Sequence, residues 1–121
     1  MKNSIEKFED LNVWQEAMQL AKDIYQVFAQ CNDYGFRDQT RRAAVSIPSN
    51  IAEGFDRQTN KELIQFLYIA KGSVAELRTQ LHLAITFNYI DNSSGLRLLE
   101  QTRKISAMLF KWIEVRKTKF K

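Results

Sequence analysis

The apolar residues Leu63, Leu67, Ala70, Val74, Leu77, Leu81 and Ala84 recur in strictly alternating steps of four and three. That spacing keeps all of them on one helix face, in the seam of helices that wind left-handedly around partners. An isolated helix gains little from such a seam, so other helices must cover it. The chain supplies three more amphipathic segments. Leu11, Trp14, Ala17, Ala21, Ile24 and Phe28 repeat at helical spacing in the first. Ala43, Ala44, Ile47, Ile51 and Phe55 do so in the second, and Leu98 or Leu99, Thr102, Ile105, Leu109, Trp112 and Ile113 in the last. Helices are predicted over about residues 12–30, 36–55, 60–87 and 93–117. One proline and four glycines leave little room for the turns of a β fold. Short connections force neighbouring helices antiparallel, so the 121 residues are expected to form one all-α domain, an up-down-up-down four-helix bundle.

Punctuation between the segments agrees. Thr59 and Glu62 have the spacing of a capping box for the third helix, and Asn12 and Gln15 that of one for the first. Asn32, Asp33 and Gly35 are turn chemistry, Gly54 and Asp56 mark the end of the second helix, and residues 88–95 break the pattern before the fourth. Pro48 conflicts with a straight second helix, because it lacks an amide hydrogen and crowds the carbonyl of Ala44, at a cost of about 3 kcal/mol. The helix either restarts at Pro48 or continues with a kink. Since Ala43, Ile47, Ile51 and Phe55 keep phase across it, a continuous helix kinked at Pro48 is favoured.

On the same segment Arg42, Ser46, Asn50, Glu53 and Arg57 follow at steps of four, four, three and four, which confines them to one narrow polar stripe. Counting back from the turn at residues 56–60 places Arg42 across from Glu76, and Ser46 and Pro48 across from Gly72 and Ser73. An Arg42–Glu76 ion pair, a close helix approach at Gly72 and Ser73, and an Asn50 side chain serving backbone freed by Pro48 are the expectations. The stripe is either a buried network that fixes helix register or a surface that reads a ligand or RNA.

Residues 41–57, RRAAVSIPSNIAEGFDR, together with FEDLNVWQEA at 8–17 and KELIQFLYIAKGSVAELRTQL at 61–81, closely resemble the signature of the proteins encoded in intervening sequences of bacterial 23S rRNA genes. The resemblance implies a four-helix bundle and an association with structured RNA, but no settled activity. Members of that family and the related accessory proteins of diversity-generating retroelements form pentameric rings. A homopentamer is therefore what the resemblance implies, and periodicity alone does not choose five copies over two.

Two surface features bear on partners. Ile64, Phe66, Tyr68 and Ile69 exceed the single apolar stripe that a monomeric bundle needs on its third helix, so they are the candidate subunit interface. The net charge of +4 is uneven: from Arg103 onward seven basic residues face the single Glu114, a local balance of +6 that leaves −2 elsewhere. Lys111, Arg116, Lys117, Lys119 and Lys121 are the nucleic-acid candidates, although a Lys-rich last turn also complements the helix dipole.

Catalytic chemistry is scarce. One histidine cannot build the paired Glu-x-x-His motifs of a di-metal bundle. No phosphate loop, zinc spacing or nucleophile elbow is present, so no catalytic, metal or cofactor site is expected. Arg78 and His82, four apart, are the sole ribonuclease-like pair. The lone Cys31 fits a reducing cytoplasm, no apolar run reaches membrane-span length, and residues 1–10 lack a signal-peptide core. The sequence therefore points to a non-enzymatic oligomeric adaptor associated with structured RNA. A protein-binding scaffold without nucleic-acid contact is the alternative, and a small helical ribonuclease a distant third.

Overall fold

The computed structural model describes residues 5–119. A short 3-10 helix, Phe8–Asp10, leads into α1 (Asn12–Val27), α2 (Tyr34–Phe55), α3 (Asn60–Thr86) and α4 (Asn92–Lys119), with no strand among the described residues. α2 packs on α1 and α3, and α4 on α3 and α1, so each helix has two helical neighbours around one core. Contacts run in opposite senses along neighbouring helices: Ser46 meets Ser73 while the later Gly54 lies against the earlier Phe66, Asn60 meets Arg116 while Ile85 lies against Gly95, and Glu16 meets Lys104 while Asp23 meets Gln101. Antiparallel neighbours give that pattern.

All seven seam residues of α3 are buried, and against them lie Leu20, Ile24, Phe28, Ile47, Ile51, Leu98, Leu99, Ile105 and Leu109. α2 stays helical through Pro48, which is itself buried, and does not restart there. Burying Ile47 and Ile51 beside it stabilises the fold by about 1.5–3 kcal/mol each, which offsets the proline's cost.

The helix ends follow local chemistry with one exception. Thr59 caps α3 by accepting from the Glu62 amide at 3.1 Å, and its hydroxyl bonds the Glu62 carboxylate at 3.0 Å. Asp33 caps α2 through the Phe36 amide at 3.1 Å. The expected capping box at Asn12 and Gln15 does not form, because Asn12 is already helical and Leu11 holds the cap position without a side-chain bond. Gln15 instead donates to the Glu9 carbonyl at 2.9 Å, tying α1 to the 3-10 helix before it. α1 also ends at Val27, short of residue 30, where tighter bonds from Ala29 to Gln26 and from Cys31 to Phe28 take over. Arg41 donates to the Tyr25 carbonyl at 2.9 Å and stacks on the Tyr25 ring, so a cation sits at the negative end of α1.

At the end of the bundle where α1 meets α2 and α3 meets α4, the second Asp33 oxygen accepts from the Tyr89 hydroxyl at 2.7 Å. Phe36 packs edge-on against Phe87 and Tyr89 beside it. The bond from Tyr89, and then that from the Phe36 amide, hold the Asp33 carboxyl below its ordinary range. A depressed carboxyl contributes stability above its unfolded pKa and loses it as pH falls through its folded value. Urea melts of the wild type and Tyr89→Phe should therefore differ most near neutral pH, and the gap should narrow in acid.

Close helix approach occurs at Gly54 and Gly95, not at Gly72. A Cβ on Gly54 would stand 2.7 Å from the Phe66 Cβ, and one on Gly95 2.5 Å from Ile85 Cγ1, whereas one on Gly72 would meet nothing within 4 Å. Gly54→Ala and Gly95→Ala should each destabilise by about 1–3 kcal/mol through overpacking. Gly72→Ala should stabilise by about 0.5–1 kcal/mol, since only helix propensity changes. Urea midpoints read both effects.

Candidate functional site

The polar stripe lies along the seam between α2 and α3, half-buried at its centre and exposed at its ends. The Ser46 and Ser73 hydroxyls bond at 2.8 Å, as the register count requires. Asn50 donates from Nδ2 to the Ser46 carbonyl at 2.8 Å and to Ser46 Oγ at 3.0 Å. Asn50 thus serves Ser46, and not Ala44, whose carbonyl is the one that Pro48 deprives of its donor. Further along, Arg57 pairs with Glu53 at 2.7 Å and its guanidinium lies 4.6 Å from the Phe66 ring centre. Arg42 and Glu76 line one small notch with Gln39 and Ser46, yet they form no ion pair. Both are exposed, and water competes for both charges. The stripe is therefore a ladder of short bonds centred on Ser46 and not a buried ionic network.

The four apolar candidates of α3 point three ways. Phe66 is half-buried beneath Arg57 on the α2 side. Ile69 faces outward and is 51% exposed. Ile64 and Tyr68 line an open groove of about 690 Å³ between the start of α3 and the end of α4. Lys61 and Lys117 contribute cations to this groove, and Asn60 and Gln65 amides. Lys117 Nζ bonds the Tyr68 hydroxyl at 3.1 Å, and chiefly for that reason its ammonium is held above its ordinary pKa.

The basic candidates of α4 divide as well. Arg116 donates from Nε to Asn60 Oδ1 at 2.7 Å, while Asn60 returns a bond to the Arg116 carbonyl at 3.0 Å. That residue clasps the end of α4 to the start of α3. Lys111, Lys117 and Lys119 are exposed and form no ion pair among the described residues, whereas Arg103 and Lys104 are engaged by Glu100 and Glu16. Lys121 lies outside the described residues. His82 is exposed and Arg78 half-buried on α3, with no bond between them. No cluster of three metal-ligating side chains occurs among the described residues, and no helix there is long and apolar enough to cross a membrane.

Periodicity within α3 does not point to Lys61, Asn60 and Gln65 as groove residues, because polar positions at a helix start look merely solvated. The register count across residues 88–95, the same device that pairs Ser46 with Ser73, does bring the start of α3 to the end of α4.

The model for 23S rRNA-intervening sequence proteins matches residues 9–111, a span that holds the stripe, the α3 seam and most of α4. The chain belongs to this family. No curated protein matches it. Among solved structures, a protein with unknown function from the S23 ribosomal protein family of Bacteroides thetaiotaomicron VPI-5482 superposes with a TM-score of 0.79 and 24% identity, covering 84% of this chain and 98% of that one. At that identity the likeness is one of fold. For this member of the 23S rRNA-intervening sequence family, Glu76→Ala should change stability by less than about 0.5 kcal/mol, because the carboxylate is exposed and unpaired. Chemical denaturation would show a loss several times larger if Glu76 held Arg42 in a buried pair.

Proposed function

We propose that this protein is a non-enzymatic, homo-oligomeric adaptor of the cytoplasm that associates with nucleic acid, structured RNA above all. The observation that carries this reading is the trio of exposed cations Lys111, Lys117 and Lys119 at the end of α4, none of which forms an ion pair with a carboxylate among the described residues. Phosphate contacts dominate the affinity of nucleic-acid binders and call for such cations. The family's tie to 23S rRNA intervening sequences makes RNA the natural polyanion. Assembly is supported by the exposed Ile69 and Leu83 on α3 and Leu96 and Phe110 on α4, and five copies is the number the family resemblance implies. A ring would add the contacts of its subunits by avidity.

The test is structured-RNA binding across a salt series. It compares the wild type with a variant in which Lys111, Lys117 and Lys119 become Gln and Arg116 is kept for its bond to Asn60. Each lost phosphate contact should flatten the slope of log affinity against log salt by about 0.7–0.9, with the mass of the assembly unchanged. Equal affinity and slope would remove these lysines from the binding surface. Failure of the wild type to bind any RNA would favour the protein scaffold, for which the apolar outer face at Ile69 and Leu83 is then the docking surface.

A further inference from the structure

We infer that the groove between the start of α3 and the end of α4 seats one unpaired nucleotide of a single-stranded nucleic acid, its base stacked on Tyr68. This rests on the nucleic-acid reading above and goes beyond it, because the lysines alone specify phosphate and say nothing of bases.

Tyr68 is 47% exposed and stands on the groove side of α3, one turn beyond Ile64. Lys117 Nζ lies 3.1 Å from the phenol oxygen but 5.7 Å from the ring centre. The second distance is nearly the hydrogen bond added to the reach from ring centre to oxygen. The ammonium therefore sits close to the ring plane beyond the hydroxyl and does not itself cover an aromatic face. The bond also fixes the edge of the ring, so stacking orders a side chain that is already held.

Among the described residues the groove wall combines this ring and Ile64 with two ammonium groups, Lys61 and Lys117, and the amide of Gln65, and no carboxylate lines it; Glu62, next to Lys61 in the chain, is engaged by Thr59. A flat apolar group carrying an adjacent anion fits that set, and a nucleotide is such a group. Its volume of about 690 Å³ lies in the range of small-ligand sites. A paired base keeps its faces inside the duplex and cannot stack on a side chain, which restricts the occupant to loops, bulges and single strands. An acidic peptide would satisfy the lysines but would leave the ring face unused.

The experiment measures binding of a short single-stranded oligoribonucleotide, the same strand with abasic sites, its deoxy counterpart and a matching duplex. Wild type, Tyr68→Ala and Tyr68→Phe are compared at fixed salt, with the mass of each assembly recorded. Tyr68→Ala should weaken binding of the base-bearing single strand roughly 5- to 100-fold, the usual range for one base stacked on an aromatic ring. Abasic strand and duplex should be unaffected, and Tyr68→Phe should retain most of the affinity. Ultraviolet crosslinking of the wild type to the same strand should place the attached nucleotide on the peptide that contains Tyr68, independently of how any variant folds. Preference for the ribo over the deoxy strand would name RNA, and equal binding would name single strands of either kind. Undiminished binding by Tyr68→Ala, with crosslinks elsewhere, would overturn the seat while leaving the lysine surface standing. A change of assembly mass in Tyr68→Ala would also overturn it, by giving the groove to a second copy of the chain. No binding of any nucleic acid by the wild type would remove the seat together with the reading on which it rests.

Discussion

The apolar seam of α3 is the constraint on which the rest of the molecule depends. α2 and α4 both lie against it, and each is locked to it where a glycine admits close approach. Gly54 sits at the end of α2 against Phe66 and Leu63 near the start of α3, and Gly95 at the beginning of α4 against Ile85 near its end. α3 is thus gripped at both extremities by the helices that precede and follow it. Within that grip α2 tolerates Pro48, because the burial of Ile47, Pro48 and Ile51 outweighs a missing backbone bond. Intrinsic propensity argues for a break there, and packing overrides it.

With the interior filled chiefly by aliphatic side chains and Phe28, and only Thr40, Gln80 and Thr102 buried among the polar described residues, most of the polar chemistry lies outside. Three of its features are structural. The Ser46, Asn50 and Ser73 bonds align α2 with α3, and the Arg116–Asn60 clasp fastens the end of α4 to the start of α3. The Asp33–Tyr89 bond does the same work at the opposite end of the bundle. Among the groups left uncovered after these commitments are, on α3 and α4, the cations at the end of α4, the Tyr68 groove beside them, and outward-facing Ile69 and Leu83. On these groups the proposed adaptor role rests.

Much of the fold was legible in the sequence because it is periodic. The alternation from Leu63 to Ala84 marks α3, the Thr59–Glu62 pair marks its start, and an antiparallel count brings Ser46 to Ser73. Features set by distances between helices were not legible. Gly72 looks like the natural contact point because it lies opposite Pro48, but its Cβ direction is open space, while Gly54 and Gly95, which look like punctuation, are the tight contacts. Arg42 and Glu76 lie opposite each other as counted, but solvent reaches both, and register says nothing about burial. Asn12 has the right spacing for a cap, yet the preceding 3-10 helix carries Leu11 into that position. Of the basic residues at the end of α4, only atomic contacts separate Arg116, held by Asn60, from Lys111 and Lys119, which project into solvent.

The claim that this bundle works through its outer surfaces, as an assembly carrying nucleic acid, is tested most directly by sedimentation of the protein at micromolar concentration, alone and with a structured RNA. The account expects a species at a multiple of the 14.2 kDa chain mass, five copies by preference, that moves with the RNA at low salt and releases it at high salt. A folded monomer that leaves the RNA unmoved at every salt concentration would contradict it.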